Sequence, residues 1–137
     1  MTDADLIAKK LAFVETCVTQ LRTLARPALL ATDVREERFV EHTLQLAIQA
    51  VLDVASHIVS DGRLGEPRTN GELFDLLRAA GWIDDAQTST LRKMAGFRNL
   101  VVHGYMTVDL AIVQSIVENN LQDLLAFVAS VRSRIPG

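Results

Sequence analysis

The stretch LQLAIQAVLDVASHIVSDG, residues 44–62, predicts the fold more directly than any other part of the chain. It belongs to a helix that we expect to run from about Arg35 to Ser60, and at about 100° per residue its apolar side chains cover most of the circumference. The polar residues form only a narrow strip, made of His42, Gln45, Gln49, Asp53 and Ser56. A helix this apolar is buried on more than one side, so we expect it to face both a bundle core and a second subunit.

Working outward, the other periodic segments are helical too. Apolar residues recur at three- and four-residue spacing, which predicts helices over residues 3–23, 72–80, 86–103 and 109–134. Pro27, the loop DGRLGEPRTNG (residues 61–71) and Gly81 separate them. No strand-like alternation occurs in the sequence. We therefore predict one all-α domain over residues 1–137, an antiparallel helical bundle of four main helices and one short helix.

Composition and charge indicate a globular protein of the cytoplasm. Of the 137 residues, 49% are hydrophobic and 23% are charged, and the net charge of −3 argues against non-specific coating of nucleic acid. The N-terminus MTDADLIAKK is too acidic and polar for a secretory signal, and the apolar runs are too short to span a membrane. The single cysteine, Cys17, cannot form an internal disulfide, which fits a reducing compartment.

One charge stands in an unexpected place. In RNLVVHGY, residues 98–105, Arg98 lies near the centre of an arc that also contains Leu91, Met94, Ala95, Phe97, Val101, Val102 and Tyr105. A charge on an apolar face costs several kcal/mol unless it is paired. Two interpretations follow: a buried ion pair, with Asp53 as a candidate partner, or a functional site.

The histidines leave similar alternatives open. His103 lies about 140° around the helix from Arg98, so the two side chains meet only if the helix unwinds at Gly104 or if a second subunit completes the site. His103 alone also suits a helix C-terminus, where a cation is favourable. The Asp53–His57 pair, one turn apart, indicates a hydrogen-bonded buried histidine rather than a metal ligand. We find no zinc-binding spacing and no Gly-rich phosphate loop, and expect no metal or cofactor.

The motif Arg-x4-His-x-Tyr, preceded by KMAGF, resembles the signature of the HEPN superfamily, and its HepT-like ribonuclease toxins fit best. The stretch at residues 44–62 resembles that family's second helix, and GELFDLLRAAGWID, residues 71–84, resembles its short middle segment. The resemblance covers the chain from about Arg38 to its end. One departure is Gly104, which stands where an acidic residue is common in the family.

The resemblance implies a homodimeric, metal-independent endoribonuclease toxin that pairs with a nucleotidyltransferase antitoxin. Arg98 and His103 would then be the catalytic residues, Asn99 would assist them, and Tyr105 would be the site at which the antitoxin attaches AMP. Arg92 and Lys93, just before the motif, are weaker candidates for contacts with RNA phosphates and are equally typical of a solvated helix surface.

Those residue types suit RNA cleavage without a metal. Histidine titrates near neutrality and can move the protons of the 2′-hydroxyl and of the 5′-oxygen, whereas arginine stays charged and donates two parallel hydrogen bonds to a phosphate. Two other classes stay open on the sequence: a non-catalytic helical module that positions substrate for a partner nucleotidyltransferase, and a structural dimerisation domain.

Overall fold

The computed structural model describes residues 3–103 and 108–135, and these residues form a helical bundle. Its helices are α1 (Ala4–Leu24), α2 (Val34–Asp61), α3 (Asn70–Ala79), α4 (Asp85–His103), α5 (Leu110–Ser115) and α6 (Leu121–Arg132). A 3₁₀ turn, Pro27–Leu29, follows α1, and a π-helical turn, Ile116–Asn120, joins α5 to α6. The all-α prediction is confirmed, and the predicted helix ends lie within two residues of the observed ones except in the last segment.

The last segment differs from the single regular helix that the periodicity predicts. Ile116 and Leu121 are both buried, but five residues of a regular α-helix would place them about 140° apart. The π-helical turn between them absorbs the extra residue, because its hydrogen bonds skip one residue more than those of an α-helix. Both α5 and α6 therefore keep an apolar side against the core.

Helix α2 lies at the centre of the bundle and packs against α1, α3, α4 and α6. Twelve of its residues are buried, including Leu44, Ile48 and Val51, while His42 and Ser56 of the predicted polar strip are exposed. Its neighbours within one chain therefore already cover most of its apolar surface, so the breadth of that surface is no longer an argument for a second subunit. By length and composition alone α2 would suffice to cross a membrane, a property it shares with the buried core helices of other bundles.

The turn between α3 and α4 sets the direction of the motif helix. Gly81 adopts φ +80°, a backbone angle that residues other than glycine rarely adopt. The backbone N–H of Trp82 then donates to the carbonyl of Leu77. The Arg134 guanidinium stacks 4.4 Å from the centre of the Trp82 ring and donates to the carbonyl of Ala80 (3.1 Å). This turn is thus attached to the end of α6.

Candidate functional site

Helix α4, which carries the motif, begins with a capping box. The backbone N–H of Gln87 donates to Oδ1 of Asp84 (2.8 Å), and the backbone N–H of Asp84 donates to Oε1 of Gln87 (3.0 Å). These reciprocal bonds satisfy N–H groups that the first turn of a helix leaves free. The predicted start signal at residues 84 and 85 is confirmed.

Arg98 lies where α4 leaves the bundle core. Residues before it on the same face, Leu91, Met94 and Ala95, are buried, whereas Val102 after it is 41% exposed. Arg98 itself is half-buried. Val101 is half-buried and still packs against the core, so beyond Arg98 the described chain covers the predicted apolar arc only in part. A cation at this boundary keeps part of its guanidinium near solvent.

The immediate partner of Arg98 is its neighbour in the chain. Nη1 of Arg98 donates to Oδ1 of Asn99 (3.1 Å), and the same oxygen accepts from Nδ2 of Asn70 at the start of α3 (3.4 Å). Nε of Arg98 is buried and has no hydrogen-bond partner among the residues the structure describes. A buried N–H without an acceptor is costly, so this guanidinium is held in place with part of its hydrogen-bonding capacity unused.

The interpretation that Arg98 forms an ion pair with Asp53, which the sequence left open, is wrong. Both carboxylate oxygens of Asp53 are engaged elsewhere: Nζ of Lys10 donates to one and Nε2 of Gln49 to the other, each at 2.8 Å. Asp53 thus lies on the side of α2 that faces α1. The predicted buried histidine is also wrong, because His57 is exposed.

His103 is the last residue of α4 and is exposed. Because α4 is α-helical through this residue, the side chains of Arg98 and His103 leave the helix about 140° apart and about 7.5 Å apart along its axis. The two groups were expected to meet either by unwinding of the helix at Gly104 or across a second subunit. Gly104 and Tyr105 both lie outside the described residues.

Arg92 and Lys93 lie on different sides of α4. Arg92 forms an ion pair with Asp75 of α3, which ties the short helix to the motif helix. Lys93 lines a groove of about 390 Å³ between α4 and the α5 segment, together with Phe97 and Ile112. The two side chains do not form one continuous basic surface.

A carboxyl pair that sequence reasoning missed lies on α2. Burial raises the pKa of Glu41 to about 7, and a hydrogen bond with Glu37 and the charge of that residue act in the same direction. Glu41 and Val101 of the motif helix line the same open concavity, with Arg38 and His42 beside them. The four-residue spacing of the two glutamates was visible in the sequence, but the burial that raises the pKa was not.

Within residues 3–103 and 108–135, no group of three or more His, Cys, Asp or Glu side chains is arranged to hold an ion.

The fold and the motif together define a class: a helical bundle of the HEPN type, with Arg and His five residues apart at the exposed end of one helix. The family model described as "Ribonuclease HepT-like" matches residues 14–131, and the chain belongs to this family.

Two curated relatives and one solved structure agree with that assignment. The "mRNA nuclease HepT" of Shewanella oneidensis is 28% identical over 130 residues, which cover 94% of this chain and 98% of the relative. A "Putative RNase" of Archaeoglobus fulgidus is 34% identical over 94 residues, or 67% of this chain and 69% of that protein. The structure of a tri-AMPylated Shewanella oneidensis HEPN toxin in complex with MNT antitoxin matches with a TM-score of 0.88 and 28% identity, over 98% of this chain and 100% of that one.

Proposed function

We propose that this protein is the toxin of a toxin–antitoxin system and acts in the cytoplasm as a metal-independent endoribonuclease. The observation that carries the proposal is the half-buried guanidinium of Arg98, held at the end of α4 five residues before an exposed histidine, in a member of a ribonuclease family. Its relatives include a protein named as an mRNA nuclease and a solved HEPN toxin bound to an antitoxin.

In the proposed reaction, one histidine takes the proton of the ribose 2′-hydroxyl, which attacks the adjacent phosphorus. A second proton donor protonates the 5′-oxygen as its bond to phosphorus breaks, and the products are a 2′,3′-cyclic phosphate and a free 5′-hydroxyl. The Arg98 guanidinium binds the phosphate oxygens, whose negative charge grows in the transition state. Asn99 assists by holding one Nη of that guanidinium.

The reaction needs two proton-transfer groups, and each chain offers one histidine in the motif. We propose that a homodimer supplies the second. The dimer is supported by the end of α4, where two apolar side chains within the motif stretch are exposed, Leu100 (49% exposed) and Val102 (41% exposed).

The dimer is tested by light scattering of the wild type and of Val102→Lys, with Ile112→Lys as the control, because Ile112 is 49% exposed on a different helix. We expect the Val102 variant to be monomeric and the control to remain a dimer. A wild type that is monomeric throughout the micromolar range would contradict the proposal.

Cleavage is tested with purified protein and RNA in the presence of a chelator. We expect His103→Ala and Arg98→Ala each to lose activity, and His57→Ala to keep it, since His57 is an exposed histidine on another helix. Equal cleavage by the variant that lacks both motif residues would refute the assignment. A wild type that cleaves no RNA but changes the activity of a partner nucleotidyltransferase would favour the non-catalytic module instead.

We further propose that a cognate nucleotidyltransferase silences the enzyme by attaching AMP to Tyr105. The matching solved toxin is AMPylated and bound to an antitoxin, and Tyr105 follows the catalytic histidine by two residues. An added phosphate next to Arg98 would pair with that guanidinium and repel the RNA backbone.

Tyr105 is the chain's single tyrosine, so intact mass after incubation with the nucleotidyltransferase and ATP gives an unambiguous readout. We expect the wild type to gain adenylate and lose activity, and Tyr105→Phe to do neither. A Tyr105→Phe protein that still gains adenylate mass would place the switch elsewhere.

Of the two basic residues before the motif, we propose only Lys93 as an RNA contact, because Asp75 already engages Arg92.

A further inference from the structure

Asn70, the first residue of α3, is linked to the motif by a short chain of hydrogen bonds. Arginine side chains only donate, so the atom of Asn99 that faces Nη1 of Arg98 must be its oxygen. That oxygen also lies 3.4 Å from the amide nitrogen of Asn70, which must therefore present its NH₂ group. The orientation of all three side chains follows from this donor–acceptor logic.

We propose that Asn70 is a positioning residue for RNA cleavage, acting through Asn99 on the guanidinium of Arg98. This inference rests on the proposed function. The Arg98 guanidinium itself requires an oxygen from Asn99, and Asn70 adds a second donor to that same oxygen. The two donors together hold the Asn99 side chain in one rotamer. Without Asn70 that side chain would turn more freely and hold the guanidinium less firmly.

The need for such a restraint is specific to Arg98. Nε of this side chain is buried without a partner in the described part of the chain, so its guanidinium is not fixed by the usual set of acceptors. Among the described residues, Asn99 supplies the acceptor for its Nη1 group. A phosphate ligand that must be met by two parallel N–H groups requires a defined guanidinium plane.

The attachment of α3 to α4 makes Asn70 a suitable anchor. Arg92 and Asn99 are seven residues apart and therefore lie on the same side of α4. Arg92 binds Asp75, Asn99 binds Asn70, and Asp85, seven residues before Arg92, pairs with Arg78. Helix α3 therefore contacts this side of the motif helix at three polar points. The ion pairs attach α3 to α4, and Asn70 contacts the residue that follows Arg98 in the chain.

The test compares Asn70→Ala, Asn99→Ala and the double variant with Asp75→Ala as the matched control, which removes a different polar contact between α3 and α4. A merely structural role for Asn70 predicts a change in stability with kcat unchanged. We expect Asn70→Ala to lower kcat about 5-fold, the effect of one neutral hydrogen bond, with KM within about 2-fold of the wild type. The double variant should lose no more than Asn99→Ala alone, and Asp75→Ala should stay within about 2-fold.

A second readout does not depend on cleavage. Nitrogen-15 NMR of the Arg98 guanidinium, assigned by its loss in Arg98→Lys, measures rotation about the Nε–Cζ bond. This rotation should be faster in Asn70→Ala than in the wild type and unchanged in Asp75→Ala. If the wild type does not cleave RNA, the proposed function fails, and the rotation rate still decides whether Asn70 restrains Arg98.

Three results would overturn the inference. The first is an unchanged rotation rate of the Arg98 guanidinium in Asn70→Ala, and the second is a loss of kcat in the double variant that equals the product of the two single losses. The third is a loss of activity in Asp75→Ala as large as that in Asn70→Ala. Should Asn70→Ala fold poorly, Asn70→Asp replaces it, because an acidic residue is favourable in the first turn of a helix. Aspartate offers an oxygen in place of the donor, so we expect at least the same loss of kcat and the same faster rotation. Wild-type values in that variant would contradict the positioning role.

Discussion

Replacing Arg98 with methionine should abolish cleavage and at the same time stabilise the fold. Methionine keeps the aliphatic length of the side chain and removes the guanidinium, including the buried Nε that has no partner among the described residues. Replacing a residue that serves packing lowers the stability of the protein, whereas replacing a residue that is kept for function at a cost to stability raises it. The sign of the change in the free energy of unfolding therefore separates the two roles.

The magnitude follows from the contacts of Arg98. A buried N–H without a partner costs about 1–3 kcal/mol, and methionine relieves that cost. The variant loses the hydrogen bond from Nη1 to Asn99, which is only partly buried and contributes about 1 kcal/mol. The balance is a gain of about 1 kcal/mol in the free energy of unfolding, or a rise of about 4 °C in Tm for a domain of this size.

Thermal unfolding followed by circular dichroism measures this change, with Arg132→Met as the matched control. Arg132 donates to both carboxylate oxygens of Glu15 on α1 (2.9 and 2.6 Å), and both side chains are roughly half exposed. Loss of that surface pair should lower stability by up to about 1 kcal/mol, the opposite sign from Arg98→Met. A fall in Tm for Arg98→Met as large as in the control would refute the reasoning and make Arg98 a structural residue.

Two further predictions concern the elements around the site. Because the pKa of Glu41 is raised in the folded state, its protonated form favours folding, so stability should fall as pH rises from about 4.5 to 7 and stay lower above that range. Glu41→Gln should remove this dependence and raise stability at pH 8 by about 1 kcal/mol, after allowance for solvent screening; equal slopes of Tm against pH in both proteins would contradict it. Asp84→Ala breaks the capping box of α4 and should lower stability by about 1 kcal/mol, while Asp84→Asn, which still accepts at the cap, should recover most of it.

Much of this protein could be predicted from local sequence alone. Helix α2 was recognisable because its apolar residues occupy most of a helical circumference, and the starts and ends of the other helices follow from capping and turn residues such as Asp84 and Gly81. These are short-range signals, since a cap or a positive φ depends on three or four neighbouring residues. The Arg-x4-His-x-Tyr spacing likewise led to the family that the comparisons then confirmed.

What the local pattern could not decide is which partner each helix face meets. Periodicity placed Val102 on the apolar arc of α4, and Asp53 was one candidate partner for Arg98, but Val102 is 41% exposed and Asp53 pairs with Lys10 of α1. The π-helical turn in the last segment is also a result of packing. Ile116 and Leu121 both pack against the core, and a regular α-helix could not bring both of them to that side. Asn70 and Asn99 are 29 residues apart in the chain, and no spacing rule joins them. Their contact, like the unused Nε of Arg98, exists because α3 packs on α4, and only the tertiary structure determines that packing.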